Sequence, residues 1–250
     1  MDSHVPIAGP PVFLVAPTEL TTGMVALSGP EGRHAAAVRR LRPGERADLS
    51  DGAGTLAECT VTSIARDSVV LEIRKTHTVP PPDPRITVVQ ALPKGDRGDL
   101  AVELMTEVGV DTVIPWPAQR SITRWQGERS ERALTKWRNT AREASKQSRR
   151  AWLPEVTGAA TLPEIAKRMS AAACSVVLAA DAATPLSILP LPKSGEIVLV
   201  VGPEGGISPA EREALKEAGA LEARLGPTVL RTSTAGAAAT VIMLSRTGRW

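Results

Sequence analysis

The sequence predicts an α/β protein in which a small β-barrel precedes a larger domain built on a mostly parallel sheet with covering helices. Three observations carry that expectation. Residues 12–77 hold short β-branched and aliphatic runs divided by Gly and Asp turns, residues 79–84 are rich in proline, and strand-like and helix-like segments alternate from residue 85 onward. The expected division is 1–78 for the barrel, 79–84 for the linker and 85–250 for the second domain.

In the first domain the strand runs are Val12-Phe13-Leu14-Val15, Met24-Val25-Ala26-Leu27, Thr60-Val61-Thr62 and Val69-Val70-Leu71-Glu72-Ile73, with Asp51-Gly52-Ala53-Gly54 as a turn. One helical stretch, 32–42, interrupts them. Ala35, Val38 and Leu41 share one of its faces, and the arginines project elsewhere. Thr78-Val79-Pro80-Pro81-Pro82-Asp83-Pro84 is stiff and extended because its prolines fix the backbone, which suits a connector between domains.

Beyond the connector, Ile86-Thr87-Val88-Val89 reads as a strand, 100–108 as a helix, Thr112-Val113-Ile114 as a strand and the basic segment that follows as a long helix. Leu134, Trp137, Ala141 and Ala144 recur there at three- and four-residue spacing and form one packing stripe. Arg138, Arg142, Lys146, Arg149 and Arg150 are left on the other faces. A helix near 162–172, a strand at Ser175-Val176-Val177-Leu178 and another over 197–201 complete the alternation.

The last of these strands runs into Gly202-Pro203-Glu204-Gly205-Gly206, and Ser208, Pro209 and Glu211 then spell a capping box with proline at the first helical position. Buried strand, glycine loop and helix form a ligand site at the carboxyl end of an α/β sheet, or else a tight turn with no ligand. The loop has no Lys-Ser/Thr pair after its last glycine, and Glu204 repels phosphate. A neutral or cationic ligand therefore fits better than a nucleotide phosphate.

Composition narrows the function further. The chain of 250 residues is 42% apolar, without an apolar run of membrane-span length or a basic-then-apolar leader. Cys59 and Cys174 lie far apart in apolar runs, as expected of buried thiols in a reducing cytoplasm. Two cysteines and three histidines in no ligand spacing point to no metal site. Between residues 120 and 150, ten Lys/Arg stand against three Glu, so this segment carries +7 and the rest of the +3 chain carries −4. Such a concentration is either the footprint of a polyanion partner or a solvated helix face.

Three stretches together go beyond spacing. They are Ala91-Leu92-Pro93-Lys94-Gly95-Asp96-Arg97 with Thr106-Glu107-Val108-Gly109-Val110, the run Arg142-Glu143-Ala144-Ser145-Lys146-Gln147-Ser148-Arg149-Arg150, and the glycine loop followed by Leu225-Gly226-Pro227-Thr228-Val229-Leu230-Arg231-Thr232. With His34 and Val38-Arg39-Arg40-Leu41-Arg42, they resemble the ribosomal RNA small subunit methyltransferase E family, of the SPOUT class, over nearly the whole chain. The resemblance implies a PUA-like barrel, a SPOUT-type α/β domain with a carboxyl-terminal trefoil knot, and methylation of N3 of a uridine in 16S rRNA with S-adenosylmethionine as cofactor.

It further implies a cofactor site made from Leu178 and Ala180, from Gly202, Pro203, Glu204, Gly205 and Gly206, and from Leu225, Gly226, Val229, Leu230 and Thr232. Glu204 either lies beside the sulfonium or closes its turn. Arg231 is the expected catalytic cation, stabilising a uridine anion, or alternatively a brace paired to a carboxylate. Family members commonly carry Glu where this chain has Ser233, so no general base is named. Arg33, His34, Arg39, Arg40, Arg42, Lys94, Arg97, Arg120, Arg124, Arg142, Arg149 and Arg150 are the expected RNA contacts, most of them positioning phosphates. The expected partners are 16S rRNA in the small subunit and a second copy of the chain, docked through Ala235, Ala237, Ala238, Ala239 and Ile242. The alternative function is a non-catalytic rRNA-binding or assembly protein that retains the cofactor fold.

Overall fold

The structure is a computed structural model and describes residues 9–21 and 23–250. It divides into two units, one taking in the chain up to Pro81 together with Ser145–Leu153, the other Pro82–Ala144 and Pro154–Trp250. The sequence reading assigns 145–153 to the second domain. Backbone pairing explains the difference: Gly54 N–H donates to the Ala151 carbonyl and Leu153 N–H to the Gly52 carbonyl, both at 2.9 Å. The Trp152 indole N–H also donates to the Val79 carbonyl at 3.0 Å.

The first unit contains β1 (Val12–Leu14), β2 (Met24–Leu27), α1 (Gly29–Arg33), β3 (Arg46–Ser50), β4 (Thr55–Ile64) and β5 (Val69–Thr78). Its sheet order is β1-β3-β4-β5-β2, antiparallel except where β1 runs parallel to β3. Two register shifts between β4 and β5 increase the local twist. Phe13 from one edge strand and Val25 and Leu27 from the other enter the same core with Leu49, Val61 and Leu71. The expected barrel is thus a curled sheet closed around side chains. Cys59 is buried in that core, and burial pushes its thiol up to about 12.

The helical stretch departs from expectation. After α1 the chain passes through a wider π-helical turn, His34–Val38, and Leu41 N–H reaches back to the Ala35 carbonyl at 3.2 Å. The widening breaks the 3.6-residue period, so Ala35 and Leu41 are buried whereas Val38 is 70% exposed.

The second unit contains β6 (Arg85–Ala91), α2 (Arg97–Val108), β7 (Thr112–Trp116), the body of α3 (Glu128–Gln147), β8 (Glu155–Val156), α4 (Leu162–Ala171), β9 (Cys174–Leu178), β10 (Glu196–Val201), α5 (Pro209–Glu217), β11 (Leu221–Ala223) and α6 (Thr232–Thr247). Its sheet is wholly parallel, in the order β11-β9-β10-β6-β7-β8. Ile86, Val88, Ile197 and Leu199 pack on one face against α2 and α6 residues such as Met105, Ala239 and Met243. Val89, Val198 and Val200 pack on the other against Ile165, Met169 and Leu215. Burial on both faces is why β10 is apolar at every position after Glu196.

Leu134, Trp137, Ala141 and Ala144 are buried as their spacing predicts. The free-face reading fails at Lys146. Its ammonium is buried and pairs with Glu31 at 3.1 Å, because the last turn of α3 belongs to the first unit. Where α6 crosses α2, a Cβ on Gly236 would stand 2.6 Å from Met105 Sδ, so any larger residue requires the methionine side chain to move. Ala235, Ala237 and Ala239 are buried within the chain, leaving Ala238 and Ile242 partly exposed.

Beyond α6, Arg249 Nη1 and Nη2 donate to the two carboxylate oxygens of Asp111 at 2.6 and 3.1 Å, and Asp111 also accepts the Ile86 N–H at 2.7 Å. Asp111 is almost fully buried, so Arg249→Ala strands a charge inside the protein. The expected loss is about 3 kcal/mol, read as a lower urea midpoint with an unchanged slope. Arg249→Lys recovers only part of it, since an ammonium cannot bond both oxygens in the same plane.

Candidate functional site

All the parallel strands of the second unit end on one edge, where a parallel sheet leaves backbone groups and loop ends for a ligand. Four segments meet there: Leu92–Asp96 after β6, Ala179–Asp181 after β9, Gly202–Ile207 after β10 and Leu225–Arg231 before α6. Between them lies a cavity of about 1450 Å³. Its walls include Leu178, Ala180, Gly202, Pro203, Glu204, Gly206, Leu225, Gly226, Val229, Leu230, Arg231 and Thr232. Of the residues expected to hold a cofactor, Gly205 alone is off the wall.

The glycine loop takes this shape for local reasons. A Cβ on Gly202 would meet Ile207 Cγ1 at 2.8 Å, and Gly206 has φ +74°, a conformation that side-chain-bearing residues adopt only with strain. Gly206 N–H donates to the Pro203 carbonyl at 2.8 Å and closes the turn. The next residues form the capping box that the sequence spells. Ser208 accepts from Glu211 N–H at 3.3 Å, and Glu211 accepts the Ser208 N–H at 3.0 Å. The other Glu211 oxygen accepts from Gln119 N–H at 2.7 Å, which ties the α5 entry to the loop after β7.

Glu204 lines the cavity and also bridges two of its loops. Its carboxylate accepts the Lys94 N–H at 3.1 Å, bridging the loops after β10 and β6. Arg120 reinforces the same loop by donating to the Gly205 carbonyl at 3.2 Å, and Arg124 donates to the Ala118 and Gln119 carbonyls at 3.1 and 2.9 Å. Both arginines keep exposed surface beyond these bonds.

Arg231 caps α6, is exposed, and lines the cavity. Among the described residues its guanidinium has no hydrogen bond or ion pair, so the bracing alternative has no carboxylate behind it. Ser233, buried beside it, also lines the cavity. The acidic side chains on the walls are Asp96, Asp181 and Glu204. Lys94 and Arg97 stand at the same cavity, which the sequence reading treats only as RNA contacts. Val229 is 82% exposed, so apolar surface faces solvent at the mouth.

One wall feature has no local signature. Arg212 on α5 donates from Nη2 to Glu222 at 2.9 Å and from Nη1 to Asp181 at 2.9 Å, with Nε also on Glu222. These hydrogen bonds hold the Asp181 and Glu222 carboxyls below their ordinary range and raise the guanidinium further, led by the Glu222 bond. Asp181 is thereby fixed as an anion on the cavity wall.

The remaining expected contacts lie in the first unit or on α3. Arg33, Arg39, Arg40 and Arg42 are exposed, and His34 is half-buried with its ring edge-on to Phe13 at 5.8 Å. Arg142 and Arg150 are half-buried and have partners. Arg149 faces inward, 3.8 Å from Asp48 and bonded to the Pro10 carbonyl. Among the described residues, no three His, Cys, Asp or Glu side chains come together as a metal site, and no helix is long and apolar enough to cross a membrane.

Comparison with known proteins places this geometry. An RNA methyltransferase domain model matches residues 80–244, and an RNA methyltransferase PUA domain model matches 27–74. The chain is 46% identical over 234 residues to a ribosomal RNA small subunit methyltransferase E of Mycobacterium tuberculosis, covering 92% of this chain and 89% of the relative. It is 29% identical over 218 residues to that of Bacillus subtilis, covering 84% and 85%. A crystal structure of a ribosomal RNA small subunit methyltransferase E from Neisseria gonorrhoeae bound to S-adenosyl methionine superposes with a TM-score of 0.85 at 29% identity, covering 95% and 98%. A putative methyltransferase from Legionella pneumophila in complex with the same cofactor superposes equally well, at 0.85 and 25% identity, covering 96% and 98%.

Arg212→Ala frees both carboxylates, so the Asp181 and Glu222 pKa values should rise toward about 4, read by carbon-13 NMR titration. A carboxyl with a depressed folded pKa adds stability above its unfolded pKa and loses it as pH falls through the folded one. The stability gap between wild type and variant therefore stands at pH 6 and narrows below the ordinary carboxylate range. A gap constant from pH 6 to pH 3 contradicts the arrangement.

Proposed function

The chain belongs to the ribosomal RNA small subunit methyltransferase E family, and we propose that it moves a methyl group from S-adenosylmethionine to N3 of a uridine in 16S rRNA. The observation that carries this reading is Arg231, a cation without a partner among the described residues, facing a cavity built from four segments at the carboxyl edge of a parallel sheet. A cavity of about 1450 Å³ exceeds the few hundred to one thousand Å³ of an ordinary single-ligand site, which favours a cofactor and a nucleotide side by side.

The residues suit the cofactor. Gly202 and Gly206 let backbone groups approach adenine and ribose, Leu178, Leu225, Val229 and Leu230 supply apolar cover, and Asp181 supplies an anion for a cationic ligand. When bound, S-adenosylmethionine supplies an electrophilic methyl on sulfur. Because uridine N3 lies inside the pairing edge, the target must be unpaired or turned out of the stack to reach the cavity. Arg231 then stabilises the charge that N3 deprotonation spreads onto the uracil oxygens. With Ser233 where relatives commonly carry Glu, no carboxylate beside Arg231 takes the proton, and water does.

The exposed cations Lys94, Arg120 and Arg124 and the half-buried Arg97 around the cavity, and Arg33, Arg39, Arg40 and Arg42 on the first unit, hold rRNA phosphates in this reading. Two copies associate through the part of α6 left open around Ala238 and Ile242, and the segment from Leu225 to α6 threads the trefoil knot. The protein acts in the cytoplasm, on the small subunit.

Calorimetry should show one S-adenosylmethionine per chain, and tritiated methyl should pass onto small subunits that lack the modification. Arg231→Ala should lower kcat on the order of a hundredfold while cofactor affinity stays within about threefold. Cofactor binding without label transfer, beside an active relative, gives the protein the non-catalytic role that Ser233 permits.

A further inference from the structure

The carboxamide of Gln90 is completely buried at the end of β6, opposite Val201 of β10 and Pro115 of β7. A buried amide in the centre of an otherwise apolar parallel sheet is costly unless its polar atoms are used. Gln90 Nε2 lies 3.0 Å from the Ala91 carbonyl and 3.0 Å from Thr232 Oγ1, and Thr232 Oγ1 lies 2.8 Å from the Gly202 carbonyl.

Chemistry fixes the direction of every bond. The Gly202 carbonyl can only accept, so the single Thr232 hydroxyl proton goes to it, and the hydroxyl must in turn accept from Gln90. Turning the amide over would set Oε1 against the Ala91 carbonyl, acceptor against acceptor. Gln90 Oε1 is left buried without a partner, so the amide is held for its donors. The chain of bonds starts in the sheet, passes through the first residue of α6, and ends on the first residue of the glycine loop.

We propose that Gln90 is a positioning residue for the cofactor loop: it orients the Thr232 hydroxyl, which holds the Gly202 carbonyl and with it the path of Gly202–Gly206. Gln90 does not line the cavity, so it acts only through Thr232 and Gly202. The inference rests on the reading of this cavity as the S-adenosylmethionine site. An acceptor or an apolar group at position 90 leaves the hydroxyl free to turn, and the loop then has to be ordered when the ligand binds.

Calorimetry with S-adenosylmethionine tests it on wild type, Gln90→Met, Thr232→Val, the double variant and Thr232→Ser. If wild type binds no S-adenosylmethionine, the cofactor reading fails before any variant is compared. If it binds, Gln90→Met should weaken affinity roughly tenfold, the scale of one lost hydrogen bond. Because both groups serve one chain of bonds, the double variant should lose no more than the worse single one, and Thr232→Ser, which keeps the hydroxyl, should lose less than Thr232→Val. Gln90→Met also removes the orphaned oxygen, so its unliganded melting temperature should stay near that of wild type. Wild-type affinity in Gln90→Met, additive losses in the double variant, or a loss matched by a fall in melting temperature overturns the proposal. If Gln90→Met does not fold, Gln90→Glu carries the test. Its carboxyl can donate only when protonated, so its affinity relative to wild type should improve from pH 8 to pH 5.5, and a constant ratio overturns the proposal.

Discussion

The hydrogen bond from the Thr232 hydroxyl to the Gly202 carbonyl joins two loops that the chain separates by 30 residues, and the geometry of the cavity depends on it. One loop is the end of β10, which is fixed because its strand is buried on both faces. The other is the exposed stretch before α6, which has no strand of its own. Ordering a loop residue costs on the order of 1–2 kcal/mol, so a wall made of two unlinked loops would spend much of a ligand's binding energy on arranging itself. Gly202 has a close approach to Ile207 on one side and this bond on the other, which leaves little freedom. The buried crossing of α6 over α2 at Gly236 and the Arg249 clamp on Asp111 hold the rest of the returning segment.

Whatever depends on local chemistry was legible in the sequence. The unbroken apolar run into Gly-Pro-Glu-Gly-Gly, followed by Ser208, Pro209 and Glu211, specifies strand, turn and capped helix within fifteen residues, and all three are found. The Leu134, Trp137, Ala141 and Ala144 stripe needs only the helical period. Contacts between distant residues left no such trace. Gln90 and Thr232 are 142 positions apart, and Arg212 meets Asp181 across 31 and Glu222 across 10. No spacing rule connects them. The short strands β3, β8 and β11 leave no signal, because Arg46–Ser50, Glu155–Val156 and Leu221–Ala223 carry too few β-branched residues to stand out. Val38 departs from the helical face because a π-helical turn breaks the 3.6-residue period, and Lys146 is buried because Glu31, which its own helix does not reveal, faces it.

The charges sort by what surrounds them. The basic run of 120–150 looks uniform as a sequence, yet Lys146 is buried in an ion pair and Arg149 turns inward to Asp48, while Arg120 and Arg124 stay exposed as they brace the loops around the cavity. At the cavity itself, Arg212 is neutralised by two carboxylates and Arg231 is not. That contrast leaves Asp181 as an anchored anion and Arg231 as a cation with no carboxylate partner; in the proposed reaction they serve the cationic methyl donor and the anion that forms during transfer.

The proposed activity of this cavity is methylation of the pairing edge of a uridine. Nucleoside mass spectrometry of small-subunit rRNA, from cells lacking the modification and incubated with the protein and S-adenosylmethionine, addresses it directly. The expected product is 3-methyluridine at one position, absent when the protein is omitted. A methyl on a different nucleoside, or none while the cofactor is bound, would contradict it.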